Sequence, residues 1–399
     1  MDIESLDQWA RKKGVNVLGT GDFTHPGWLA NLKEKLEPAE AGLFKLAFGV
    51  DKTNSPTRFI LTSEISCIYS KNGRVRKIHI IVVAPSVDVV EKINKQLSAI
   101  GNLKADGRPI LGLDAKELAK IVLDIDWRCL IIPGHIWTPW FSLFGSKSGF
   151  DTIEECFEEY SKYIYAVETG LSSNPAMNWR LSFLDKIALI SNSDAHSPQK
   201  IGREANVLNT ELSYDGITDA VKSNNKAKFL YTIEFFPEEG KYHYDGHRAC
   251  GISFCPKESK KNNNVCPKCN KPLTIGVLNR VEELADRPDG YNGEDRIPFY
   301  SLIPLEEIIA KARGVTVASK KVGEDYENLI KTCGSEFSIL LDASRGKLNG
   351  CALPEIVDGI MKVREGKVAI EPGFDGVYGK IKISLAGAGN DKKRQKPLL

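Results

Sequence analysis

Short apolar runs rich in β-branched residues alternate with amphipathic segments from residue 15 to about residue 235. Such alternation is typical of βα units, and it predicts an α/β fold with a largely parallel sheet, closed as a (β/α) barrel. The predicted strands are 15–18, 58–64, 77–83, 129–133, 163–167, 186–191 and 228–233, and the predicted helices include 28–37, 88–100, 115–123, 152–161 and 214–224. In a barrel of this kind the carboxyl ends of the strands meet at one face, which is where the active site is built.

Acidic residues and histidines follow or end most of these predicted strands. The set is Asp22, His25, Glu64, His79, His135, Asp194 and His196, and it holds four of the chain's six histidines. Mixed histidine and carboxylate ligands suit Zn, Mn or Fe and argue against an all-oxygen calcium site. Seven ligands exceed the needs of one ion, so the sequence predicts two or three ions, an arrangement that can activate water and stabilise the leaving oxygen of a phosphodiester.

Within this set, Glu64, Asp194 and His196 are the predicted catalytic residues. Each residue has a simpler interpretation when taken alone. A single histidine at a strand end is usually just hydrogen-bonded, and Asp194-Ala195-His196 has the composition of an ordinary turn. The prediction of a metal site therefore depends on the whole set converging.

A second group of candidate ligands is a cluster of cysteines, at Cys250, Cys255, Cys266 and Cys269. The run Cys266-Pro267-Lys268-Cys269 has the form of a zinc knuckle, and four thiolates make a closed structural zinc site. His247 lies three residues before Cys250 and is an alternative to Cys255 as the fourth ligand, a choice that the sequence leaves open. The surrounding segment is poor in apolar residues, so metal binding would supply its folding energy.

A change of composition near residue 236 suggests the domain boundaries. We expect the metal-dependent barrel at 1–236, a zinc-binding module at 237–290, a small α+β region at 291–385 and a disordered basic tail at 386–399. The net charge of +2 excludes a uniformly basic surface for nucleic acid but allows a local basic groove. No apolar run approaches the roughly 20 residues that span a bilayer, and the N-terminal residues lack the pattern of an export signal, so we expect a cytoplasmic location and no membrane partner.

The metal motifs resemble those of the PHP (polymerase and histidinol phosphatase) superfamily. The resemblance rests on the run 19–25 (GTGDFTH), Glu64, His79, His135 and the run 193–196 (SDAH). Longer runs, at 134–142, 144–151, 168–173, 240–248 and 280–287, resemble endonuclease Q, and the similarity extends over nearly the whole chain. This resemblance implies a distorted (β/α) PHP barrel and a DNA-repair endonuclease that cuts 5′ of deaminated bases (uracil, hypoxanthine, xanthine) or of abasic sites. It also implies structural zinc and a catalytic cluster that holds Zn, with Mg or Mn as alternatives.

One PHP feature is missing from this sequence. PHP proteins open with a strand that carries His-x-His, and no such motif occurs near Met1. Either roughly twenty residues that precede Met1 are missing from this sequence, or this form of the protein has lost its first strand. We expect that the residues are missing. The fold would then be a barrel without its first strand, and the chain as written would have low activity.

An enzyme that acts on a damaged base must expose that base, commonly by flipping it into a pocket lined by aromatic side chains. The loop after His135 provides the first group of candidates for substrate binding, and a short segment after Glu168 provides the second. The residues are Trp140, Phe141, Lys147 and Ser148 in the loop, and Trp179 and Arg180 in the segment. Core packing is the alternative for each aromatic residue. The tail 395–399 (QKPLL) faintly resembles a sliding-clamp-binding peptide.

Two other functions fit parts of this pattern. One is a PHP phosphoesterase that acts on small molecules, which would need neither the zinc module nor the long C-terminal region. The other is a DNA-binding scaffold whose PHP site is degenerate, which the missing His-x-His would explain.

Overall fold

Seven strands form the main sheet of the computed structural model, which describes residues 1–50, 54–293 and 295–383. They are β1 (Val17–Gly19), β2 (Leu36–Pro38), β3 (Phe44–Leu46), β4 (Arg58–Lys71), β5 (Arg74–Ala84), β6 (Ile110–Leu111) and β7 (Leu130–Pro133). β1 and β6 pair with β4 in parallel, whereas β2–β3, β3–β4, β4–β5 and β5–β7 are antiparallel pairs. The prediction of a largely parallel sheet is therefore wrong for this part of the fold.

The physical reason lies in the turn between β4 and β5. Asn72 and Gly73 both have left-handed backbone, with φ of 54° and 72°. An Asn-Gly pair between two apolar runs is the strongest short-range signal of a tight hairpin, because a type I′ turn requires positive φ at both central residues. The prediction of parallel strands followed the alternation of helices and strands along the rest of the sequence and did not take this turn into account.

The later strands form smaller sheets. These strands are β8 (Ala166–Glu168), β9 (Ala188–Ile190), β10 (Ala205–Leu208), β11 (Phe229–Glu234), β12 (Asp245–His247), β13 (Ile252–Phe254) and β14 (Phe299–Ser301). β8 pairs with β9 in parallel, β11 lies between antiparallel β10 and parallel β14, and β12 pairs with β13 in antiparallel fashion. The fold is mixed α/β, and the pairing among the described residues leaves the sheets open rather than closed into one barrel.

Nine helices accompany these sheets in the described residues up to Ser301. They are α1 (Ile3–Lys13), α2 (Pro26–Lys35), α3 (Val87–Ser98), α4 (Ala115–Ile125), α5 (Ile153–Phe157), α6 (Pro175–Asn178), α7 (Tyr214–Ser223), α8 (Pro256–Lys261) and α9 (Val277–Leu284). Most predicted helices agree with these bounds to within two residues. The exception is the predicted helix 152–161, which ends as an α-helix at Phe157 and continues as the 3-10 helix Glu158–Tyr163.

The chain divides into two compact units, with the first formed by Met1–Ser301 and Pro372–Lys380. The second begins at Leu302 and contains α10 (Leu305–Arg313), α11 (Lys320–Cys333), α12 (Arg345–Asn349), α13 (Pro354–Arg364) and β15 (Val368–Glu371), while β16 (Lys380–Ile383) starts at the end of the first unit. Buried Glu336 organises the second unit, since its carboxylate accepts hydrogen bonds from the Leu305 amide (3.0 Å) and the Tyr326 hydroxyl (2.8 Å). The predicted tail 386–399, with its clamp-binding resemblance, lies outside the described residues. No helix in the described ranges has the length and apolar character needed to cross a bilayer.

Candidate metal centre and substrate surface

Three of the predicted ligands converge on the main sheet. Glu64 lies on β4, and His79 is its diagonal neighbour on β5, because Glu64 pairs with Ile81 two residues further along that strand. Diagonal partners lie on the same face of the sheet. His135 follows β7, which pairs with β5 on its other side. Three strands that are adjacent in space therefore bring one carboxylate and two imidazoles together.

The distances within this group fit the coordination of an ion. The Oε1 atom of Glu64 lies 2.8 Å from Nδ1 of His79 and 3.2 Å from Nε2 of His135, and the two ring nitrogens are 2.9 Å apart. Ligands held at about 2.0–2.1 Å from one zinc ion are separated from each other by about 3 Å. The three donor atoms therefore have the spacing and the chemistry of a divalent-cation site.

The charges around the group also suit a cation. Burial by itself would raise the pKa of Glu64, but hydrogen bonds with His135 and His79 outweigh it and hold that pKa far below its usual range. Burial lowers the pKa of His79, which favours the neutral imidazole that binds metal. Arg108, which the sequence analysis missed, places Nη1 3.3 Å and 3.2 Å from the two Glu64 oxygens. Its loop between α3 and β6 carries no periodic or motif signal that would have identified it.

Backbone strain marks the same region. Among the described residues, six that are neither glycine nor asparagine have left-handed backbone, and four of them are predicted site residues: Asp22, His135, Phe141 and Asp194. Each such residue costs on the order of 1–3 kcal/mol, and strained residues cluster at functional sites. The surrounding packing therefore fixes these four backbone positions against a local preference for other conformations.

Asp22 and His25, the two predicted ligands on the β1–α2 turn, lie outside the three-residue group. Desolvation, followed by the negative charges of Asp106 and Glu64, raises the pKa of Asp22, so this carboxylate is electrostatically coupled to the centre. His25 caps α2, where its Nδ1 accepts a hydrogen bond from the Trp28 amide at 3.3 Å.

Asp194 and His196 follow β9 and also lie outside the group. The charge of Asp194 is among the causes that raise the pKa of His135, after desolvation, which opposes the rise, and the hydrogen bond with Glu64. The His196 side chain is 78% exposed, and its Nδ1 lies 3.0 Å from the Asp194 carbonyl oxygen.

Glu168, at the end of β8, holds the backbone of His135 by a hydrogen bond. Its Oε2 accepts a hydrogen bond from the His135 backbone amide (2.7 Å), and its Oε1 accepts one from the Asn192 amide group (2.9 Å). Burial raises the pKa of Glu168 to about 7. Glu168 is not among the ligands predicted from the sequence, and its hydrogen bond holds the His135 backbone in place.

Gly170 packs closely against His135, with no room for a side chain between them. An added Cβ at Gly170 would lie 2.5 Å from the His135 Cβ, and its φ of +62° is left-handed. We expect Gly170→Ala to displace His135 and to reduce metal affinity and any metal-dependent cleavage by about 10–100-fold, because a 1 Å misplacement of a catalytic group has effects of this size. Metal titration followed by a cleavage assay measures both. Gly73→Ala is the matched control, because φ there is also left-handed (+72°) while nothing lies within 4 Å of the added atom. Equal effects of the two substitutions would contradict the displacement argument.

Glu234, buried near Glu168, gives a prediction about pH. Burial raises its pKa to about 7, although Thr232 (2.5 Å) and Thr169 (3.0 Å) donate hydrogen bonds to its carboxylate. Between the ordinary pKa near 4.5 and about 7 the native state holds a proton that the unfolded state has released. Stability is therefore lost as pH rises through this window, by about 1.4 kcal/mol per pH unit at most.

We expect Glu234→Gln, which cannot titrate, to gain up to about 3 kcal/mol of unfolding free energy relative to the parent between pH 5 and pH 8. Urea unfolding at each pH measures this difference. Glu34→Gln, at an exposed position on α2, is the control and should show no such gain. A constant difference between Glu234→Gln and the parent across the range would show that Glu234 is ionised in the native state throughout.

The predicted substrate residues of the loop after His135 have different surroundings. Trp140 is 47% exposed and lines a cavity of about 210 Å³ together with Thr138, whose hydroxyl lies 3.3 Å from His135 Nδ1. The Phe141 ring packs on His79 with a centroid distance of 4.8 Å. Lys147 is exposed, whereas Ser148 is buried and hydrogen-bonds the Phe141 amide and the Lys77 carbonyl, at 3.3 Å each.

Trp179 and Arg180 are occupied by contacts within the first unit. The half-buried Trp179 ring meets Phe299 edge-on at 5.6 Å, and the buried Arg180 forms an ion pair with Glu282 on α9. The structure thus gives Arg180 a packing role, while Trp140 keeps an open face beside the metal centre.

The cysteine cluster forms a second candidate metal site within the first unit. The ligand atoms of His247, Cys250, Cys266 and Cys269 all lie within 4.8 Å of one another. Desolvation opposes ionisation of Cys266, but the backbone amides of Lys268 and Cys269 outweigh it and lower the pKa of this thiol. One imidazole and three thiols are a donor set typical of structural zinc.

Cys255 lies outside this group. It is the N-cap of α8, in a capping box with Glu258, whose Oε2 accepts a hydrogen bond from the Cys255 amide at 2.9 Å. Of the two alternatives left open by the sequence, the structure assembles the one with His247.

Comparisons with known proteins extend over both units. A family model described as the MJ0043 C-terminal domain matches residues 304–367. The uncharacterized protein MJ0043 of Methanocaldococcus jannaschii is 36% identical over 255 residues, which are 62% of this chain and 31% of that protein, so the chain spans about a third of this relative. The uncharacterized protein YqxK of Bacillus subtilis is 30% identical over 385 residues, covering 94% of this chain and 91% of that protein.

Two solved structures are similar along almost the entire chain. One is the lesion-specific endonuclease PfuEndoQ from Pyrococcus furiosus, with a TM-score of 0.84 and 29% identity, covering 96% of this chain and 90% of that one. The other is endonuclease Q in complex with a 27-mer duplex substrate that has an abasic lesion at the active site, with a TM-score of 0.81 and 29% identity, covering 96% and 92%.

Proposed function

The chain belongs to the endonuclease Q family, and on this premise we propose that it is a DNA-repair endonuclease. The observation that carries the proposal is the convergence of Glu64, His79 and His135 at 2.8–3.2 Å in a fold that matches a lesion-specific nuclease. We propose cleavage 5′ of abasic sites and of deaminated bases, with uracil, hypoxanthine and xanthine as the bases.

We propose that the fold is of the PHP type and that Asp22, His25, Asp194 and His196 complete the catalytic cluster. Zn, Mn or Mg would occupy it, and zinc would occupy the His247–Cys269 cluster. Divalent ions at a phosphodiester activate water and neutralise charge on the phosphate. The corresponding organisation is a catalytic region at 1–236, a zinc module at 237–290 and a C-terminal region at 291–385.

The protein's own groups would position the substrate and neutralise charge on it. Arg108, beside Glu64, is placed to neutralise charge that develops on the phosphate oxygens. When water attacks phosphorus, the bond to the upstream 3′ oxygen breaks, and that oxygen takes its proton from solvent water, which reaches the exposed side of the cluster at His196. The products would be a 3′-hydroxyl and a 5′-phosphate on the damaged nucleotide.

The cavity beside Trp140 supports recognition of an extruded base. Its volume of about 210 Å³ admits one base, and the exposed face of Trp140 offers a stacking surface. Thr138 connects this cavity directly to His135, so a base held there would place its own backbone near the metal centre.

The test uses end-labelled duplexes with one uracil, hypoxanthine, xanthine or abasic site, incubated with Mg, Mn or Zn. We expect a cut at the phosphodiester 5′ of each lesion and none in the undamaged duplex. Hydrolysis of a small phosphate ester without cutting of any duplex would instead indicate a small-molecule phosphoesterase. Binding of lesion duplexes without cleavage under any metal would indicate a scaffold.

A further inference from the structure

A groove of about 810 Å³ runs between α2 and α3 and reaches the loop after α3. Neither the metal centre nor the cavity beside Trp140 includes it. Its lining combines an apolar floor, with Leu29 and Leu103, and polar groups that include Asn94, Asn102 and Lys104.

The groove begins at the turn that carries Asp22 and His25. The side-chain amide of Asn94 donates to the Phe23 carbonyl at 2.8 Å, which attaches α3 to this turn. Thr24, which lines the groove, shares a 2.8 Å hydrogen bond with the Ser63 hydroxyl and donates to the Gly107 carbonyl at 3.3 Å. Ser63 and Glu64 point to opposite faces of β4, so the connection runs through the loop after α3, where Gly107 lies against the Asp22 carboxylate and precedes Arg108.

The charges along the groove favour an anion. Lys33 on α2, Lys95 on α3 and Lys104 on the following loop all line it, and Glu91 is the one acidic side chain among the lining residues described. Lys33 pairs with Glu91 at 2.5 Å, whereas Lys95 and Lys104 project from two separate elements and are exposed. A positive groove stands out in a chain whose net charge is only +2. A polyanion in the groove would be attracted mainly by Lys95 and Lys104, because Glu91 offsets the charge of Lys33.

The groove also has the length of a short stretch of DNA strand. His25 and Lys33 are eight residues apart on or beside α2, which corresponds to about 12 Å at a rise of about 1.5 Å per residue. A DNA strand advances about 3.4 Å per nucleotide. Lys33 therefore lies about three to four nucleotides from a phosphate held at the turn.

We propose that the α2–α3 groove binds the phosphate backbone of the cleaved DNA strand within about four nucleotides of the scissile bond. This inference rests on the proposed function, since it assumes a DNA substrate at the metal centre. Lys95 and Lys104 are positioning residues in this proposal, and the Asn94 and Asn102 amides supply further hydrogen-bond donors along the same path.

The test is Lys95→Gln combined with Lys104→Gln, in the full chain. Binding of an abasic-site duplex, measured by fluorescence anisotropy over a range of salt concentrations without added divalent metal, should weaken about tenfold at ~0.1 M salt. The slope of log K against log salt should decrease by about 2, because each lost phosphate contact removes about 0.9 from it. Lys92→Gln with Lys120→Gln is the matched control, since it removes the same charge from exposed positions on α3 and α4 outside the groove.

A second measurement locates the contact. Neutral methylphosphonate linkages placed one to four nucleotides from the lesion, on either side in separate duplexes, should weaken binding by the parent and have little further effect on the double variant. The inference is overturned if the double variant and its control have the same salt slope, or if the linkages affect parent and variant equally. If the parent neither binds nor cuts lesion duplexes, the proposed function fails instead, which is a distinguishable result.

Discussion

Replacing Glu64 by glutamine should reduce the cleavage rate of an abasic-site duplex by about a thousandfold, which corresponds to about 4 kcal/mol of transition-state stabilisation. The substitution keeps the shape of the side chain and removes its negative charge. Glu64 is the group that His79 and His135 both approach, and it lies within 3.3 Å of the Arg108 guanidinium. Without the carboxylate these three nitrogen-bearing side chains would lose their common anionic partner, and a divalent ion would lose its charged ligand.

Three measurements separate this effect from a loss of folding. The single-turnover rate should fall, the metal content per chain should fall with it, and the affinity for uncleaved duplex should stay within about twofold of the parent. Glu34→Gln, which neutralises an exposed glutamate on α2, should retain the parent's rate and metal content. A Glu64→Gln variant that cleaves at the parent's rate would remove this centre from the reaction.

The convergence of Glu64, His79 and His135 could be predicted from the sequence because the three residues are attached to regular strands. Glu64, His79 and His135 lie on or directly after β4, β5 and β7, and apolar alternation identified all three segments. The positions of these strands were predicted correctly, but their relative direction was wrong. The alternation of strands and helices favours parallel strands, whereas Asn72-Gly73 specifies an antiparallel hairpin. The hairpin makes Glu64 and His79 diagonal neighbours on paired strands, so these two residues come together within one antiparallel pair.

Residues on irregular segments were harder to predict. Arg108 reaches Glu64 from a loop, and Glu168 supports His135 through a backbone amide, so neither role leaves a periodic signal in the sequence. Arg180 shows a related case, because a basic residue beside a tryptophan suggests a DNA contact, and the structure pairs its guanidinium with the half-buried Glu282. Spacing along the chain predicts which elements exist, whereas the partner of a long polar side chain depends on contacts between residues that are distant in sequence.

The cysteine cluster gives the second large effect. Replacing His247 by alanine should remove about one equivalent of zinc per chain and unfold the segment from about residue 245 to residue 271. His247, Cys250, Cys266 and Cys269 place their ligand atoms within 4.8 Å of one another, and the segment between them has few buried apolar side chains. Structural zinc contributes about 10–16 kcal/mol of apparent binding free energy in zinc-finger peptides, so the loss of one ligand removes a large part of what folds such a segment. Metal analysis and limited proteolysis measure the two consequences.

Cys255→Ser is the informative control, because the sequence alone made Cys255 and His247 equal candidates. The structure places Cys255 at the N-cap of α8, where serine is a preferred residue, so Cys255→Ser should keep its zinc and its resistance to proteolysis. Zinc loss in Cys255→Ser, with retention in His247→Ala, would reverse the assignment and require α8 to unwind toward the knuckle.

Because the proposed catalytic cluster also binds metal, the metal content of each variant is compared with that of the parent. Each variant is also tested for duplex cleavage. Retained cleavage in His247→Ala would show that the zinc segment serves folding or DNA binding rather than the chemistry at Glu64.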